Sequence, residues 1–64
     1  MLFMSSAKRA QTARNKRKAA ALIAEHGEGA ADYVGQQIAA TAWQIRDHAH
    51  WKRIEKHVKA MLRR

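Results

Sequence analysis

The sequence predicts an all-α protein, a two- or three-helix hairpin or bundle with a basic N-terminal helical arm. Three observations point there. The 64 residues include no Pro and only three Gly, so little interrupts a helix. Ala, Lys, Arg and Gln crowd the segment after Ser6, and all four favour helix. Farther on, large apolar residues recur at the three- and four-residue spacing of one helix face.

Met1 to Met4 forms a short apolar tip, and Ser5 or Ser6 offers a hydroxyl to cap a first helix. Ala7 to His26 then runs without a breaker. In its first half Lys8, Arg9, Arg14, Lys16, Arg17 and Lys18 spread around the whole circumference. A helix polar all round is not held by a core, so this half is expected to project from the body. An inner face begins at Ala19 and continues through Leu22, Ile23 and His26. The division is therefore a basic arm over residues 1–18 and a small helical domain over 19–64. Gly27 stands where a left-handed residue ends a helix, and Gly suits it because it lacks Cβ.

A second helix should open near Gly29 or Ala30, with Glu28 and Asp32 at its positive end. Ala31, Val34, Ile38, Ala42 and Ile45 make its main apolar face. Tyr33 and Trp43 fall on another side, which marks both as candidate protein-interface residues. The apolar phase shifts before Trp51, and Asp47 is placed to cap a new helix. A three-helix unit broken near Arg46 to His48 is thus preferred over one long helix from about Ala30 to Arg63.

The last stretch, Trp51 to Arg63, carries two stripes. Trp51, Ile54, Val58, Met61 and Leu62 share one face. Lys52, Lys56, Lys59 and Arg63 fall within a sector of about 60° nearly opposite.

The run AALIAEHGEGAADYVGQQIA, followed by WKRIEKHVKAML, resembles a pattern of short uncharacterised alphaproteobacterial helical proteins. Their pattern is a helix ending in a His-Gly-Glu-like turn, an Ala-rich second helix and a final helix opening around Trp-x-x-Ile. The resemblance covers about Ala19 to Leu62 and rests on Leu22, Ile23, His26, Gly27, Glu28, Ala30, Trp51 and Ile54. It implies a helical fold and lends no activity. Where those proteins carry a Gly-Asp turn before the last helix, this chain has Arg46-Asp47 and is shorter.

Composition narrows the function. Hydrophobic residues are 47% of the chain, but nearly half of them are Ala, so the core is thin. A chain of this size then calls for a homo-oligomer or a partner surface to complete it. The formal net charge is +8, which favours anionic partners. The charges are also segregated. Residues 1–24 hold six bases and no acid, residues 25–45 three acids and no Lys or Arg, and residues 46–64 seven bases and two acids. If the first helix returns antiparallel onto the last, the basic segments meet at one pole.

The expected function is therefore non-enzymatic binding of nucleic acid (DNA or RNA) or a ribonucleoprotein. The arm would supply Arg14, Lys16, Arg17 and Lys18, and the last helix Lys52, Lys56, Lys59 and Arg63. Lys and Arg on phosphates gain affinity by releasing counterions, largely without reading bases. The alternative is a protein–protein interaction module or accessory subunit, binding an acidic protein surface or its own copy through Tyr33 and Trp43. A membrane surface is disfavoured because the arm lacks a clean apolar face.

Other classes find little support. His26, His48, His50 and His57 are not spaced to hold one ion, and no Cys joins them, so no metal is expected. No glycine-rich phosphate loop or nucleophile beside a base is present, so neither catalytic residues nor a cofactor is expected. A helix-turn-helix reader would want small or turn residues where Trp43 and Trp51 stand. No run approaches the roughly 20 apolar residues of a membrane span, and a cytoplasmic location is expected.

Overall fold

The computed structural model of the chain describes residues 6–63. Three α-helices follow one another: α1 (Ser6–His26), α2 (Ala30–Ala40) and α3 (Ile45–Leu62). The expected all-helical class is observed. The apolar tip Met1 to Met4 and the Ser5 cap lie outside the described residues, and Ser6 is the first residue of α1.

The first connection forms as its chemistry dictates. His26 still has helical angles, and Gly27 then turns left-handed at φ 61°. A 3-10 turn over Gly27–Gly29 leads directly into α2, where the Ala30 N–H donates to the Gly27 carbonyl. Asp32 sits in the first turn of α2, where its charge favours the helix dipole.

The second connection departs from expectation. The chain breaks at Thr41 to Gln44, not at Arg46 to His48, and Gln44 rather than Asp47 occupies the N-cap of α3. Asp47 lies in the first turn of that helix. The break needs neither Gly nor Pro, because no non-Gly residue in the described chain takes a positive φ. Side chains terminate α2 instead. The Thr41 hydroxyl donates to the Gln37 carbonyl at 2.7 Å and reaches the Ile38 carbonyl at 3.3 Å. The Thr41 N–H bonds the same two carbonyls at 3.0 and 3.3 Å, and the Gln44 N–H closes a turn on Thr41 at 2.9 Å. His48 Nδ1 adds a bond of 3.0 Å to the Ile38 carbonyl. Carbonyls that a longer helix would have satisfied are thus met locally. Ala42 and Ile45, expected on the apolar face of α2, fall outside that helix, and Ile45 is 85% exposed.

Helix α3 is the centre of the fold, packing against both α1 and α2, which touch each other less. It runs antiparallel to α2: Ile38 meets His48, and Tyr33 meets Trp51. The buried apolar core is Ala19, Leu22, Ala30, Val34, Ile54 and Val58, with Ile23, Tyr33, Ile38, Trp51, Met61 and Leu62 packed around it. Among the described residues this core has six side chains, two of them Ala, and is thin as composition implied. The shape agrees: the Cα radius of gyration is 12.5 Å, with extents of 38 × 31 × 16 Å. A compact chain of this length would have a radius near about 10–11 Å. Three helices laid side by side in a slab account for the excess.

Candidate nucleic-acid interface

The amino-terminal half of α1 has a side the apolar pattern did not reveal. Lys8, Gln11, Thr12, Asn15, Ala19, Leu22 and His26 recur at three- and four-residue spacing and share one helix face. Only its later part is apolar. Gln11 and Thr12 are half-buried, and Asn15 is 5% exposed. This half therefore lies along the body, where projection was expected. Among the described residues no buried side-chain polar atom lacks a hydrogen-bond partner, as a polar line facing inward requires.

Between this face and α3 runs a cleft made of two adjoining hollows. One, of about 350 Å³, is lined by Gln11, Arg14, Asn15, Lys18 and His50. The other, of about 240 Å³, is lined by Lys8, Gln11, Thr12, Asn15, Arg53, Lys56 and His57. Gln11 and Asn15 line both, so they form a shared polar floor. Lys18 lies by His50 and Lys8 by His57, so α1 and α3 run in opposite directions. Arg14 and Lys18 stand on the α1 wall with Lys8, and Arg53 and Lys56 on the α3 wall. Among the described residues no Asp or Glu lines either hollow.

Of the eight cationic residues proposed from sequence, Arg14, Lys18 and Lys56 come together here. Lys16 and Arg17 are exposed on other sides of α1, and Arg63 is exposed at the end of α3. Lys52 and Lys59 are exposed too, but both lean on Glu55, with Nζ–carboxylate distances of 3.5 Å. The lysine ridge is therefore partly neutralised at its middle, although ion pairs this exposed contribute little to stability. Lys8, His50, Arg53 and His57 were not foreseen. Their signal is the helical stripe of polar residues on α1, which a search for apolar residues alone passes over.

The two aromatic residues singled out earlier have different settings. Tyr33 is half-buried and stacks on His26, with ring centroids 4.3 Å apart, and meets Trp51 edge-on at 6.2 Å. Its ring serves internal packing. Trp43 sits in the α2–α3 corner, 96% exposed, beside exposed Ile45.

Among the described residues no group of three or more His, Cys, Asp or Glu is placed to hold a metal ion, and no helix is long and apolar enough to cross a membrane. No protein-family model matches this chain, and neither a curated protein nor a solved structure matches it.

Proposed function

We propose that this chain is a non-enzymatic nucleic-acid-binding protein that holds its partner electrostatically through the α1–α3 cleft. One observation carries the reading: Arg14 and Lys18 line one hollow with His50, Lys8, Arg53 and Lys56 line the adjoining one, both share the polar floor of Gln11 and Asn15, and among the described residues no Asp or Glu lines either. Like charges gathered on two walls repel one another, and a polyanion relieves that repulsion while releasing its own counterions. The basic first half of α1 is then one wall of the site. Lys52, Lys59 and Arg63 widen the positive field on the outer side of α3. Free nucleic acid and an RNA-containing assembly present the same phosphates, and both fall within the proposal.

The test is the salt dependence of binding. Five contacts, from Lys8, Arg14, Lys18, Arg53 and Lys56, imply a slope of log affinity against log salt of about −4.5 on duplex DNA. Affinity should fall roughly 500-fold between about 50 and about 200 mM salt. Flat binding across that range, or none to DNA and RNA alike, excludes the proposal.

A second reading, a protein-interaction module, is favoured by Trp43 and Ile45. Two large apolar side chains lie open to water at one corner, and Trp is a common interface anchor. A Trp43→Ala variant with unchanged oligomer mass and unchanged partner capture would exclude this corner as an interface.

A further inference from the structure

We infer that the cleft takes the sugar-phosphate backbone of a double helix and does so without reading its bases. The inference rests on the nucleic-acid reading above and names the form of the partner.

Proteins that bind single strands without sequence preference pair a cationic groove with aromatic platforms on which bases stack. This cleft has the first part, and its described lining offers little of the second. Among the described residues no Phe, Tyr or Trp lines either hollow. Tyr33 is held between His26 and Trp51, and Trp51 is half-buried. His50 lines the first hollow, but its ring already meets Trp51 edge-on at 6.0 Å. Trp43 is open, but it stands seven residues before His50 in a different part of the fold. Among the described residues, splayed bases thus find no Phe, Tyr or Trp face inside the cleft, and only the His57 ring and the Arg14 and Arg53 guanidinium planes are left to them.

The cleft instead offers charge on two rows. Lys8 and Lys18 are ten residues apart on one helix, a rise of about 15 Å. Packed helix axes lie about 8–10 Å apart, so the opposing cations form a broad positive strip rather than a point. A duplex suits such a strip because it carries one charge per about 1.7 Å of axis. A single strand is less densely charged and releases fewer counterions per contact, with slopes of about −0.7 against about −0.9 per phosphate. With five contacts and an equal intercept at high salt, the duplex is favoured by roughly 20-fold at about 50 mM salt. Arg and Lys on phosphate oxygens carry no direct sequence information.

The experiment measures fluorescence anisotropy of a labelled, mixed-sequence DNA duplex of about 20 base pairs. Its two separated strands and a duplex of scrambled sequence are run alongside, all with the full chain at about 50 and about 200 mM salt. The expected result is binding of both duplexes within about twofold of each other, and about tenfold or more tighter than either strand at the lower salt. Single strands that bind as tightly as the duplex, with quenching of tryptophan emission, would overturn the duplex inference and leave the nucleic-acid reading standing. A scrambled duplex that binds more than about tenfold differently would overturn the claim that bases go unread. Failure of every probe to bind at low salt would overturn both.

Discussion

His48 Nδ1 lies 3.0 Å from the carbonyl oxygen of Ile38 and ties the first turn of α3 to the last turn of α2. A carbonyl only accepts, so this contact places the proton on Nδ1. The same oxygen is reached by Thr41, and the two side chains together stop α2 where no Gly or Pro does. Replacing His48 by Ala should lower stability by about 1 kcal/mol, the usual net worth of a partly buried hydrogen bond. Urea unfolding followed by helical circular dichroism measures it, and an unchanged midpoint would show that the corner closes without His48.

Ile54 is fully buried on the helix that both others pack against. Truncation to Ala should cost about 2–5 kcal/mol. The whole 64-residue chain is expected to have only about 3–10 kcal/mol of stability. Ile54→Ala should therefore be largely unfolded or melt far lower, whereas Ile45→Ala, at an exposed site, should stay within about 0.5 kcal/mol of the parent. Thermal melts of the pair separate core from surface.

Gly27 has φ 61°, and a Cβ built there would meet nothing within 4 Å. Only backbone strain opposes a side chain at this position. Gly27→Ala should cost about 1–2 kcal/mol, a fall in Tm of several degrees, and Gly27→Asn should cost less because Asn tolerates the left-handed region better. Equal melting of all three would mean that the turn can relax.

Glu55 holds Lys52 and Lys59 at 3.5 Å each. Removing its charge by Glu55→Gln frees both lysines and raises the net charge by one. On the proposed interface, affinity for duplex DNA should rise severalfold at low salt and converge with the parent at high salt. Lys56→Gln and Arg53→Gln should each weaken binding and flatten the salt slope by about 0.9. Lys16→Gln, away from the cleft, should do so less. Anisotropy titrations rank the four, and equal losses at Lys16 and Lys56 would mean that net charge matters and the cleft does not.

The helical class, the glycine turn at Gly27 and most of the core were legible in the sequence, because apolar spacing and a lone Gly each have one simple structural meaning. Leu22, Val34, Ile54 and Val58 all came from that spacing. The second break was misplaced because Thr41, Gln37 and His48 make it with hydrogen bonds, and such bonds between residues up to ten apart leave no periodic trace. The candidate cleft was half legible, as a matter of which cations line it. Arg14, Lys18 and Lys56 could be named from charge. Their partners Lys8 and Arg53 required knowing that Gln11, Thr12 and Asn15 face inward, a polar stripe that hydropathy reads as solvent-facing.

The two tryptophans stand in opposite surroundings, Trp43 at 96% exposure and Trp51 half-buried against Tyr33 and His50. The chain therefore carries two built-in optical probes. Emission from Trp43 should be long in wavelength and readily quenched by iodide, while Trp51 should emit at shorter wavelength and shift only when the helices part. Bleaching one signal with a small anion and following the other on heating would report on the corner and on the core in a single cuvette.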